Sequence, residues 1–234
     1  MPDLLETTGD EDMSAIHGEG DYRYEVTNAN YQAFVHAHPQ WQKASVKVRG
    51  YLKYWDGDAF PPGMERYPVT YVTHEAAQAY CEWREKRLPS EAEWEKAARG
   101  VEGNKYPWGN KYDILKSNCN EVGYRTTVEV GQFSKDKSSY GVYDLMGNAQ
   151  EWTSEKLKPY PKSPARRNAA FKTYDGRGYI AVRGASYAIK GSSMSLYTRS
   201  AYFAKSQYGI GFRCAQDVEV DEETKEDSGD TVVQ

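Results

Sequence analysis

Apolar positions in the first half of the chain recur at helical spacing. Tyr31, Phe34 and Val35 stand at i, i+3 and i+4 as one apolar stripe. Thr27 or Asn28 caps the stripe and Pro39 stops it, so a helix is expected from there to about Ala37. A second stripe of Ala76, Ala77, Tyr80, Cys81 and Trp83 predicts a helix from His74 to about Lys86, capped by Thr73 and ended by Leu88 and Pro89. Ser90 and Glu93 form a capping box for a third helix running through Ala98. Gly100 is its natural C-terminal cap, and Trp94, Ala97 and Ala98 face inward.

Beyond Gly100 the helical period is lost. Short β-prone runs at 127–130, 181–182, 196–197 and 211–214 lie among Gly, Asn, Ser and Tyr, and earlier ones lie at 21–26 and 67–72. Helices first and irregular β afterwards read as α+β, with few short helices, a small antiparallel sheet and much irregular structure. Residues 51–62, punctuated by Asp-Gly and Pro-Pro, read as a loop whose aromatics either cover the core or line a surface, with core cover the first reading. With no repeat and no linker in between, residues 21–216 form one domain. It follows a flexible lead-in (1–20) and precedes an acidic disordered tail (217–234).

Composition adds limits. The chain has 234 residues, 39% hydrophobic and 27% charged, enough for one sizeable core. No apolar run approaches a membrane span, and the acidic start lacks the apolar region of a secretory signal. The tail holds eight acids against one lysine, a net −7; the total of −4 leaves +3 on the rest. A body so nearly balanced gives no case for nucleic acid. The three cysteines, Cys81, Cys119 and Cys214, form no zinc or redox spacing, and their odd number argues against a disulfide framework. Buried or idle thiols in a reducing compartment are expected. His36 and His38 are expected at the surface, with no acid at ligand spacing.

The chemistry concentrates at residues 141–153, which hold Asp144, Gly147, Asn148 and Glu151. Gly and Asn between two acids suit a bent loop that turns oxygens inward. Two readings stand side by side. One is a site for a hard cation such as calcium, which takes several oxygen ligands at once. The other is a tight turn whose acids cap main-chain amides.

Several phrases now stand in one order: Tyr24-Glu-Val-Thr-Asn28, Tyr67-Pro-Val-Thr-Tyr-Val72, Ala79-Tyr-Cys-Glu-Trp83, the run 86–100 from Lys-Arg-Leu-Pro-Ser-Glu to Ala-Ala-Arg-Gly, Tyr106-Pro-Trp-Gly-Asn110, the run 141–153, Val182-Arg-Gly-Ala-Ser-Tyr187 and Gly211-Phe-Arg-Cys214. As a set they closely resemble the formylglycine-generating enzyme (sulfatase-modifying factor) family over about residues 21–216. The family's opening strand, with its Phe-x-Met-Gly phrase, is missing. The resemblance implies a variant of the C-type lectin fold. It also implies structural calcium, carried over to Asp144, the carbonyls of Gly147 and Ala149, and Glu151. A second family calcium loop falls at Asn118 and the carbonyl of Cys119, with partners near Glu121 and Gly123. That loop is shorter here and lacks the expected Asp.

The family's enzymes oxidise a substrate cysteine with copper held by two cysteines that follow a Gly-Gly-Ser-Tyr phrase. Here the phrase is Gly184-Ala-Ser-Tyr187, and the two positions hold Ile189 and Met194. Soft thiolates are what hold Cu(I), so no copper is expected. Four histidines and no added helical domain do not match the His-rich iron branch either.

Two functions of different class follow. The first is a non-catalytic ligand-binding protein akin to retroelement-diversified variable proteins of this superfamily, whose surface lies in the segment matching 183–213. It would comprise Tyr187, Ile189, Lys190, Ser192, Ser193, Tyr197, Tyr202, Phe203, Lys205, Ser206 and Tyr208. Its partner would be a protein or other macromolecule, with no nucleic acid. The chain would be cytoplasmic, or displayed on a particle or cell surface by a route without a signal peptide. The second is a metal-dependent oxidase or hydroxylase acting on a peptide or small thiol.

Overall fold

The computed structural model describes residues 22–160, 163–164, 178–205 and 209–217. Helix α1 (Asn28–Ala37) starts where Thr27 accepts the amide of Asn30. Helix α2 (His74–Trp83) starts where Thr73 accepts that of Ala76. It ends three residues before the expected Lys86. The chain turns at Glu85, whose φ of 58° is left-handed, and the amide of Lys86 returns to the carbonyl of Cys81. Helix α3 (Glu91–Arg99) carries the expected capping box in both directions and ends at Gly100, φ 67°.

Among the described residues the sheet has four strands: β1 (Gln150–Lys156), β2 (Tyr179–Arg183), β3 (Ser200–Phe203) and β4 (Ile210–Gly211), ordered β3-β2-β1-β4. β1 and β2 are antiparallel, with Glu151 opposite Arg183, and β2 and β3 are antiparallel. β4 runs parallel to β1, so the sheet is mixed where an antiparallel one was expected. The reason is topological: β3 and β4 lie on opposite edges of the β2-β1 pair, so the chain re-enters on the far side and in β1's direction.

Four of the β-prone runs make no strand. Val26 and Val69 exchange one main-chain bond and Thr27 and Pro68 one bridge, because Pro68 has no amide to extend a ladder. Residues 127–130 attach through Val130 to the carbonyl of Arg66, and 196–197 through Leu196 to that of Lys105.

Two apolar clusters flank the sheet. α1 and α2 bring Tyr31, Phe34 and Tyr80 onto Phe212, Trp152 and Val182. α3 brings Trp94, Ala97 and Ala98 onto Leu145, Met146, Ala185 and Leu196. Among the described residues no helix is long and apolar enough to cross a membrane. Asp217, the first residue of the expected tail, pairs with Arg87, which also holds Glu93 of the capping box. The rest of the tail and the lead-in lie outside the described residues.

The cysteine expectation is overturned. Cys81 of α2 and Cys214 just after β4 form a disulfide, both fully buried, and only Cys119 is free. The inward face of α2 brings residues 133 apart in sequence to a Cα separation of 5.6 Å, a proximity that spacing along the chain does not reveal. With it goes the argument from cysteine usage for a reducing compartment. Cys214→Ser is expected to lower unfolding stability by about 2–5 kcal/mol. Urea denaturation should show the same loss in the reduced parent and no further loss on reducing the variant.

Candidate functional site

The loop 141–153 is bent by three residues. Asp144 and Asn148 sit in the left-handed region, φ 61° and 65°, a conformation short polar side chains tolerate. At Gly147 a Cβ would stand 2.6 Å from the carbonyl oxygen of Asn118, so only glycine lets the two backbones touch. The amide of Asn148 then donates to that carbonyl at 3.0 Å.

The acids do cap main-chain amides. Asp136 accepts from Leu145 and Met146, Asp144 from Gly131 at 2.7 Å, and Glu25 from Ala149 at 2.8 Å and the Asn148 side chain at 2.6 Å. Glu151 accepts two parallel bonds from Arg213, 2.6 and 2.7 Å, and a third from the Trp94 indole at 2.9 Å. Arg213 spends its remaining donors on the carbonyls of Tyr22, Arg23 and Tyr143. The Glu151 carboxylate and the Arg213 guanidinium are both inaccessible to solvent.

Four buried carboxylates, Glu25, Asp136, Asp144 and Glu151, therefore surround one buried guanidinium. Burial first, and then the charge of neighbouring acids, pushes Glu25 and Asp136 well above the usual carboxylate range. Burial pushes Asp144 up to about 7, against the Gly131 amide and Arg213. Ionised together these acids would carry a surplus of negative charge, and with oxygen as the donor atom throughout that arrangement fits a hard divalent cation. Among the described residues no three His, Cys, Asp or Glu side chains are grouped so as to hold a metal by themselves, so an ion here would draw on main-chain carbonyls. Gly147 and Ala149 flank Asn148 at the bend, between Asp144 and Glu151.

The second expected ion loop is committed to other contacts. Asn118 donates to Asn148 and to the carbonyl of Thr126, while its own side-chain oxygen is buried without a partner. Cys119 donates to the carbonyl of Met146, and burial pushes its thiol up to about 12. Glu121 accepts from the amides of Gly191 and Ser192 and from the Ser192 hydroxyl. Slight burial opposes its charge, but the Ser192 and Gly191 amides bring it down to about 2. It thus pins the short turn Gly191–Ser193.

Met194 is buried in the second core cluster, and Ile189 packs against it half-buried. Gly191 lies against the Cys119 sulfur and the Tyr112 ring, where a Cβ would collide. The one free thiol among the described residues is therefore close to this turn, but protonated and enclosed.

The expected binding residues fall in separate places. Tyr187 is half-buried, its amide bonded to the Asn148 carbonyl, and it walls a cavity with Tyr54, Trp55 and Met64. Lys190, Ser192 and Ser193 are exposed on the Gly191 turn. Tyr197 lies beneath the Arg99 guanidinium. On edge strand β3, Tyr202 donates to Gln150 and the exposed Phe203 packs on Tyr179. Lys205 is exposed; Ser206 and Tyr208 lie outside the described residues. Sequence reasoning did not join this segment to Tyr187 as one cavity. Of the two roles expected for the aromatics of 51–62, Trp55 is buried and takes the first, while Tyr54 is 58% exposed and takes the second. The Tyr-Trp pair before Asp-Gly was the available signal.

Residues 22–218 match the sulfatase-modifying factor enzyme 1-like domain. The chain belongs to this family. The formylglycine-generating enzyme of Bos taurus is 33% identical over 173 residues, 64% of this chain and 44% of that protein. The inactive C-alpha-formylglycine-generating enzyme 2 of the same animal is 43% identical over 103 residues, 39% of this chain and 34% of that protein. The chain thus spans less than half the length of these relatives. The structure of Treponema denticola variable protein 1 matches with a TM-score of 0.59 at 20% identity, covering 82% of each chain, a likeness of fold. The expected formylglycine-generating-enzyme type of fold stands: three helices, a small sheet and much irregular structure among the described residues.

Arg213→Met would leave the acids without their one buried cation, and is expected to cost about 3–5 kcal/mol of stability in chemical denaturation. A pH effect follows from Asp144. Its proton leaves at about 7 in the folded chain and near 4 in the unfolded one. Between those values the folded state binds more protons, so in chelator this group's contribution falls as pH rises toward 7. Burial lowers His74, which works the other way, so the comparison is with Asp144→Asn. Relative to the parent, that variant should be more stable at pH 7.5 than at pH 5; an unchanged difference would contradict the assignment.

Proposed function

We propose that this chain is a non-catalytic, ligand-binding member of the family, held in shape by calcium and presenting a surface from residues 183–213. The observation that carries the reading is the pair Ile189 and Met194. They occupy the positions where the resemblance calls for thiolates, and Met194 is committed to core packing. The lone free thiol, Cys119, is held protonated by burial, the wrong state for a metal ligand or nucleophile. An inactive relative in the same family and the variable-protein fold are consistent with a scaffold that works without the reaction. The partner would be a protein or other macromolecule, with diversification of the segment a matter for sister copies of the gene.

Calcium would be held by Asp144, Glu151 and the carbonyls of Gly147 and Ala149. It would supply positive charge to buried acids that Arg213 alone does not balance. The buried disulfide favours display on a cell or particle surface over a cytoplasmic place.

Millimolar calcium should raise the melting temperature over chelator by about 5–10 °C, as expected for an ion bound only by the native state. Glu151→Gln should abolish most of that shift. A cysteine-containing peptide incubated with the protein and added copper should give no aldehyde product beyond a copper-only control. Turnover would replace this reading with the alternative of a metal-dependent oxidase or hydroxylase.

A further inference from the structure

We infer that the cavity beside Tyr187 is a pocket for a neutral aromatic ring. The inference deepens the binding reading above and rests on it. The cavity measures about 280 Å³. A cavity of roughly 150 Å³ holds a benzene molecule, so this one takes a substituted or fused ring. Tyr54, Trp55 and Tyr187 supply ring walls, and Pro61, Pro68 and Met64 supply rigid or polarisable apolar faces. The polar groups are hydroxyls, those of Thr70, Thr126 and Thr127 together with the two tyrosines.

Among the described residues no Lys, Arg, His, Asp or Glu side chain walls the cavity. Its one amide, Asn28, is spent on the protein. It donates to the Met64 carbonyl at 2.9 Å and accepts the Trp55 indole at 3.2 Å. The nearby cation Lys53 lies over the Tyr54 and Tyr71 rings, 5.2 and 5.1 Å from their centroids. A charged ligand would lose water and meet no charged side chain of the wall, with Lys53 held outside it over the two rings, whereas a neutral ring would stack.

The wall segments are held in advance. The wall residue Tyr187 and Val128, the neighbour of Thr127, are both bonded to Asn148, through its carbonyl and its side-chain oxygen, and Leu52, two residues before Tyr54, is bonded to the Tyr71 carbonyl. Leu52 and Tyr71 hold left-handed φ of 45° and 62°, a strain that recurs at ligand sites. Tyr71 stands edge-on to Tyr54 and sets its ring at the rim.

The ring could come from a free small molecule or from an aromatic side chain of a peptide, and titration of the full chain tells them apart. Indole and N-acetyl-tryptophanamide are titrated by calorimetry, with indole-3-acetate and tryptamine as charged analogues. A capped Gly-Gly-Trp-Gly-Gly peptide and its Leu counterpart complete the set. Indole is expected to bind saturably with a Kd of about 1 mM or tighter, and the charged analogues at least tenfold more weakly. Tyr54→Ala, at a largely exposed position where folding is not at stake, should weaken indole at least tenfold, while Leu115→Ala, 76% exposed and remote from the argument, should not. A Trp peptide that binds more tightly than indole assigns the side-chain source; indole without the peptide assigns the free compound. The inference is overturned by no saturable ring binding, by equal binding of charged and neutral rings, or by indifference to Tyr54→Ala. Failure of the underlying non-catalytic reading would appear separately, as oxidation of a cysteine peptide.

Discussion

The structure depends on one buried ion pair. Glu151 and Arg213 are out of contact with water and joined by two parallel bonds. A buried pair of this kind contributes little net stability when intact and costs a great deal when one partner is lost. Its effect is therefore to specify. Glu151 lies in β1, opposite Arg183 of β2 and beside Gly211 of β4, and it also takes the indole of Trp94 in α3. Arg213 reaches back to the carbonyls of Tyr22, Arg23 and Tyr143. One contact thus joins the start of the described fold, the central loop, a helix and the final strand. The disulfide from Cys81 to Cys214 fixes the residue next to Arg213, so covalent and ionic constraints act at the same point.

Around that pair the acids outnumber the cations. Glu25, Asp136 and Asp144 are each engaged with main-chain amides, which explains how a loop without regular structure keeps its shape. It does not remove their charge, and burial raises all three. A proton, or the cation proposed above, offsets it. The two readings of residues 141–153, ion loop and amide-capping turn, are compatible, since a carboxylate oxygen has more than one lone pair. Asn148 carries the same order outward: it holds Glu25 and Asn118 inside, Val128 next to the wall residue Thr127, and Tyr187 at the cavity wall. The loop, by this route, positions a cavity whose lining includes neither Ile189 nor Met194.

The helices were legible because their signals are local. Thr27, Thr73 and the Ser90–Glu93 box each mark a start within one turn, and the apolar stripes show which face is buried. Gly147 was legible as a bend, though not the backbone of Asn118 that makes glycine necessary there. The rest depends on distant partners. β4 is two residues long and parallel, with no periodicity to read. The disulfide joins residues 133 apart, and an odd cysteine count concealed it. Glu25 stands in a β-prone run with nothing local to mark it, yet it is fully enclosed against Ala149. Tyr54 and Tyr187 form one cavity although no local pattern links them.

The account's central claim is that a family scaffold keeps its oxygen-lined loop while its sulfur ligands are replaced. Metal analysis of protein purified without chelator tests it most directly. The account predicts calcium at about one ion per chain, with copper and iron only at trace level. Stoichiometric copper or iron, with calcium absent, would contradict it.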